Sequence, residues 1–315
     1  METYAEDSFG PDGRQATQSR SRILGGLLTM TGSGISNQIG AGIGAHAFPA
    51  LGPAGVVAVR QLVAAAVLLP AARPPLHRLT WKQWWPALLL GGTIALMNIC
   101  LYVAIQRIGL GLAVTLEFLG PLAIALTRSK SKLDVLCAVS AGVGVYVLVL
   151  PGPSSDFPGI GIAVAGAACW AAYIILNGVV GQRLPGLQGP AVATMVSLVF
   201  YLPVAAYLLS AGSLTGPALL LSVLAGVLCS VIPYAADLSA LRHVRQAFFG
   251  VYMSINPLLA ALSGMIVLGQ ILALHEWLGI VLIVATNAAA ILLAGPRPSP
   301  VVRAASEAPP AGLHL

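Results

Sequence analysis

Glu117 lies deep inside an apolar run, between Gly109-Leu110-Gly111-Leu112-Ala113-Val114-Thr115-Leu116 and Phe118-Leu119-Gly120-Pro121-Leu122. An ionisable side chain at a bilayer centre costs roughly 2.5–3.5 kcal/mol on insertion scales, so one kept there is expected to be functional. A carboxyl in such a place can exchange a proton or hold a cationic group of a substrate. Low dielectric disfavours its charged form, and a neighbouring cation favours it. Arg60, within another apolar run, is the candidate cation. It is read first as a structural clamp, capping carbonyls or pairing with Glu117. Asn37, Gln38 and Asn98 add amides inside further runs. They are read either as hydrogen-bond glue between helices or as substrate contacts.

The elements that carry these side chains follow from composition. Only 8% of the 315 residues are charged and 57% are hydrophobic, with a mean hydropathy of +0.89. A soluble domain carries about a quarter charged residues, so this chain is built for lipid. Apolar runs near 20 residues recur from Ile23 to Ala294, each long enough to cross a hydrocarbon core of roughly 30 Å. Ten spans are drawn: 23–45, 54–72, 85–105, 109–128, 133–150, 159–181, 189–210, 217–238, 246–269 and 275–294. At a rise of 1.5 Å per residue, Glu117 lies about 12 Å below the outer end of its span and Arg60 about 9 Å. Asn98 and the Asn37-Gln38 pair fall at similar depth. The five side chains therefore define one polar layer.

The net charge of +6 is an orientation signal. Fourteen of the 16 Lys and Arg fall in alternate loops or in the tails, while Arg107 lies on the other side and Arg60 in a span. By the positive-inside rule both termini face the cytoplasm, so the basic charge is no nucleic-acid footprint. Residues 1–22 read as a disordered cytoplasmic tail and 295–315 as another. Ala45-His46-Ala47 resembles a leader cleavage site, but no clean short apolar core precedes it, and the first helix is read as retained. Asp237, Arg242 and Arg245 read as solvated charges at a helix end, and Asp156 and Glu276 as interfacial. Cys100, Cys137, Cys169 and Cys229 lack metal-ligand spacing and read as small hydrophobes. His46, His77, His243 and His275 lie in loops or at span ends and His314 in the tail, and no nucleophile, base or metal-ligand cluster lies within a span. A membrane-embedded enzyme, a metal and a cofactor are therefore not expected.

An internal repeat appears at an offset of 136. Ala104-Ile105 falls on Ala240-Leu241, Pro121-Leu122 on Pro257-Leu258, and Ala125-Leu126 on Ala261-Leu262. Five spans per half is odd, so the second half (159–294) would enter the membrane inverted relative to the first (23–150). The expected fold is an all-α membrane protein of ten transmembrane helices in two inverted five-helix repeats, with a substrate site near the midplane. A proline within a helix cannot bond the carbonyl four residues earlier. Pro121 and Pro257 would thus kink their helices and free the carbonyls of Glu117 and Met253.

At these residues the chain resembles the ten-helix drug/metabolite transporters of the EamA type, and among them the bacterial threonine/homoserine exporters. The run from Gly109 to Leu122 carries most of the likeness. Ala167-Ala168-Cys169-Trp170-Ala171-Ala172-Tyr173-Ile174 and Ser263-Gly264-Met265-Ile266 add to it. The resemblance implies an inner-membrane secondary transporter exporting small metabolites, amino acids first, with protons as the coupling ion. It also implies a central cavity lined by the first, third, fourth, sixth, eighth and ninth spans. Tyr173 and Asn256 then join Glu117, Asn37, Gln38 and Asn98 as expected substrate- or proton-binding residues. Similar exporters often carry Glu just before the ninth-span proline and again at the end of that span. Here these positions hold the neutral amides Asn256 and Gln270, which leaves Glu117 as the central titratable acid. Export of drug-like compounds is the alternative reading, and a channel or an enzyme stands behind it.

Overall fold

The computed structural model describes residues 11–126, 132–150, 155–233, 236 and 253–293, and these contain helices and no strand. Asp237, Arg242, His243 and Arg245 lie outside the described residues, as do Arg128, Lys130 and the tail 295–315.

The helices are α1 (Pro11–Ala45), α2 (Phe48–Ala72), α3 (Trp81–Ile108), α4 (Leu110–Glu117), α5 (Leu119–Leu126) and α6 (Lys132–Val149). They are followed by α7 (Phe157–Gly181), α8 (Gln188–Ser210), α9 (Gly216–Gly226), α10 (Asn256–Leu268) and α11 (Leu274–Leu293). Four of them, α2, α3, α7 and α8, are long and apolar enough to cross a membrane, and shorter apolar helices accompany them.

Three boundaries differ from the sequence reading. Helix α1 begins at Pro11 instead of Ile23, so residues 11–22, expected as disordered tail, are helical. Proline suits the first helical turn, and the Gln, Ala and Arg that follow are good helix formers. The expected fourth span is two short helices broken at Phe118. The third difference is at Pro257. It sits in the first turn of α10, where a missing N–H costs no helical bond, so it starts a helix where a mid-helix kink was expected.

Among the described residues many large apolar side chains face outward, while several polar groups are buried within the apolar interior. On α6, Val135, Leu136, Val139, Val143 and Tyr146 are exposed while Cys137, Ala141 and Leu148 are buried. Glu117, Gln38, Asn98, Asn256 and Gln61 are buried in turn. That inversion is stable only where hydrocarbon surrounds the bundle.

Helix α3 packs against α7 and α8, α2 against α8 and α9, α1 against α9 and α10, α4 against α7 and α10, and α6 against α11. Small residues permit the close crossings, as expected in lipid. A Cβ on Gly40 would lie 2.7 Å from the Cys229 sulfur, and one on Gly279 would lie 2.6 Å from the Leu148 Cα. A Cβ on Gly120 would overlap the Ala167 carbonyl oxygen, so α5 rests almost backbone to backbone on α7.

Candidate functional site

Glu117 closes α4, and the chain turns there because Pro121 offers no N–H to the Glu117 carbonyl. The Phe118 N–H returns to the Val114 carbonyl at 3.1 Å, and α5 starts one residue later. The break holds the Glu117 side chain on the wall of a cavity of ≈ 260 Å³. Helix α1 supplies Asn37 and Gln38 to that wall, α2 Arg60, α3 Asn98, and α10 Asn256. Phe118 and Trp170 add an edge-to-face aromatic pair with ring centroids 4.6 Å apart. Cys229 comes from a π-helical turn, Val227–Val231, that continues α9. Turns of this kind are frequent at functional sites.

Six of the residues singled out in the sequence thus meet at one cavity: Glu117, Asn37, Gln38, Asn98, Arg60 and Asn256. Tyr173 lies elsewhere. It lines an adjoining cavity, also ≈ 260 Å³, together with Gln61, Asn177 and Thr194. Arg60, Met97, Asn98, Cys229 and Pro233 border both cavities. Pro121 and Pro257 are not among the residues lining either cavity.

The polar contacts divide the site into occupied and open groups. Gln38 Nε2 donates to Asn256 Oδ1 at 3.4 Å, and Asn256 Nδ2 donates to the Met253 carbonyl at 2.9 Å. The carbonyl expected to be freed by Pro257 is therefore capped by a side chain. Asn98 Nδ2 donates to the Ile94 carbonyl of its own helix at 2.8 Å. The Cys229 thiol donates to the Asn37 carbonyl at 3.1 Å. Glu117 is 4% exposed, and its Oε1 has no hydrogen-bond partner.

Arg60 does not pair with Glu117, contrary to the expected ion pair. Among the described residues the one ion pair is Arg107–Asp156, at 2.9 Å. The Arg60 guanidinium lies instead over the ring of Tyr102, 4.9 Å from its centroid, and Tyr102 is held edge-on by Phe48. An aromatic face attracts a cation, and the guanidinium rests there without an ion pair to the carboxyl.

Other functional or bracing residues were not foreseen. Gln270 Oε1 accepts from the Leu110 N–H at 3.1 Å, tying the start of α4 to the end of α10. His46 Nε2 meets the Val267 carbonyl at 2.9 Å beside it. Arg183 donates to the Lys82 carbonyl at 2.7 Å and stacks on Trp85. Trp170 stood within a quoted stretch, and Gln61 directly follows Arg60, so the signals were local and visible. Gln270 was noticed only for its lost charge.

A bundle helical throughout its described residues, with an apolar exterior and a cavity into which buried polar side chains project, has the build of a multi-pass membrane transporter. Comparison with known proteins agrees. Residues 157–292 match the EamA-like transporter family. The threonine/homoserine exporter RhtA of Salmonella typhimurium (strain LT2) is 33% identical over 258 residues, covering 80% of this chain and 86% of the relative. The RhtA of Escherichia coli (strain K12) is 32% identical over the same coverage. A solved crystal structure, 20% identical, superposes with a TM-score of 0.53 over 83% of this chain and 96% of its own, which concerns the fold alone. The chain belongs to the EamA-like transporter family and is a transporter, not an enzyme.

Proposed function

We propose that this protein exports small amino acids, threonine and homoserine first among them, across the cell inner membrane and couples export to protons through Glu117. One observation carries the reading: a buried carboxyl with an unpartnered oxygen on the wall of a cavity that several amide side chains also line, in a chain whose relatives are exporters.

The architecture proposed is ten helices in two inverted repeats with both termini cytoplasmic. The helix contacts support it. Exchanging the halves turns the α3–α7 contact into α9–α1, α4–α7 into α10–α1, and α2–α9 into α8–α3, and every one of these pairs packs together. The family match over 157–292 also coincides closely with the second repeat. The second cavity extends toward the ends of α2, α3, α7 and α8 that adjoin Arg73, Lys82 and Arg183. By the positive-inside rule those ends face the cytoplasm, so substrate enters from there.

Purified protein in liposomes tests the proposal. Liposomes preloaded with unlabelled threonine should accumulate labelled threonine by counterflow, as a carrier does and a channel does not. Absence of counterflow across a broad amino-acid panel, with protein confirmed in the bilayer, would overturn the amino-acid reading.

A further inference from the structure

Arg60 lies in the apolar stretch Val56-Val57-Ala58-Val59-Arg60-Gln61 of α2 and borders both cavities. No described carboxylate comes within 4.0 Å of its guanidinium. Its Nε is buried without a hydrogen-bond partner. Tyr102 holds the flat face of the group at 4.9 Å, and that contact steadies the fork while its Nε stays without a partner. Arg60 is partly buried, and a desolvated charge lacking an opposite charge is costly, so this arrangement persists best where an anion arrives to complete it. A guanidinium offers planar donors that match a carboxylate two by two.

We propose that Arg60 is the carboxylate-binding residue of the transport cavity and that its ligand is the α-carboxylate of a zwitterionic amino acid. This deepens the proposed function and rests on it. Glu117 faces the same cavity without forming an ion pair with Arg60, so the site presents a cation and, apart from it, an ionisable carboxyl. A zwitterion answers both: its carboxylate meets Arg60, while its ammonium or a coupled proton meets Glu117. A compound with the same side chain and amine but no carboxylate leaves the fork unpaired. Sites built around a buried polar group reject such analogues strongly.

The test uses the full chain and three probes: L-threonine, L-threoninamide and L-threoninol. In proteoliposomes preloaded with threonine, external threoninamide and threoninol should inhibit counterflow at least about tenfold more weakly than threonine. In detergent, threonine should raise the thermal midpoint more than either analogue does, since only a bound ligand stabilises the fold. In Arg60→Gln that difference between threonine and threoninamide should vanish. Arg60→Lys, which keeps charge but loses the fork, should fall between. If wild-type protein took threonine and threoninamide equally, the role of Arg60 would be overturned while amino-acid export stood. Discrimination undiminished in Arg60→Gln would overturn it too. Failure of wild-type protein to respond to threonine or any other amino acid would remove both proposals together. The wild-type comparison holds even where a variant does not fold.

Discussion

The Gln38 amide donates to Asn256 Oδ1 across 218 positions of the chain, and the other end of the Asn256 amide caps the Met253 carbonyl. One neutral side chain thus fastens α1 to α10 and satisfies the backbone where α10 begins. Asn256→Leu keeps the size but orphans both partners. Each buried polar group left unsatisfied costs about 1–3 kcal/mol. The variant should therefore show a clearly lower thermal midpoint in detergent, and an unchanged midpoint would mean the amide is not fastening these helices.

Gly120 and Gly161 should respond oppositely to alanine. At Gly120 the new methyl would meet the Ala167 carbonyl oxygen of α7, and backbone cannot move aside cheaply. At Gly161 nothing lies within 4 Å, and alanine in a helix is favoured over glycine by roughly 0.5–1 kcal/mol. Size-exclusion profiles and melting curves should show Gly120→Ala poorly folded and Gly161→Ala at or above wild type. Equal behaviour of the two would contradict the close α5–α7 packing.

Arg107 and Asp156 join the end of α3 to the start of α7, where Asp156 also caps the Gly159 N–H at 3.0 Å. Bonds from Arg107 first, and from that backbone N–H second, hold the Asp156 carboxyl below the usual aspartate range. A lowered folded pKa means the unfolded chain takes up the proton first on acidification. The stabilisation is therefore complete above the ordinary aspartate value of roughly 4 and is lost as pH falls through the lower folded one. Melting curves of wild type and Asp156→Asn should differ at neutral pH and converge in strong acid. A gap that persists there would assign the difference to something other than this ionisation.

The polar layer was legible because Glu117, Arg60, Asn98, Asn37 and Gln38 are chemical outliers in apolar runs, and a common depth is simple helix arithmetic. The break at Phe118 was legible from Pro121. Partner choice was not. Nothing local to Arg60 says that it lies over Tyr102 of α3 and makes no ion pair with Glu117. Nor does the sequence near Gln270 announce the Leu110 N–H, 160 positions earlier. Pro257 was misread because helix start and helix kink use the same residue, and only the backbone before it tells them apart. Tyr173 was carried by resemblance, which gave its helix but not which of two adjoining cavities it faces.

The proposed topology makes a direct prediction. Reporter fusions after Arg183 should report cytoplasm, and fusions after Ala211 should report periplasm. The loop at the first point carries Arg183, and the loop at the second carries no basic residue. Both fusions on the same side of the membrane would break the inverted arrangement.

Glu117→Gln tests the account most directly, because it keeps the shape of the buried carboxyl and removes its proton exchange. Two readings on one proteoliposome preparation separate its roles: threonine transport driven by a proton gradient, and threonine counterflow at equal pH on both sides. Counterflow needs no net proton release, so a coupling residue can be lost without abolishing it. The variant should fold, keep counterflow and lose nearly all gradient-driven transport. Full gradient-driven transport by Glu117→Gln would contradict the central claim.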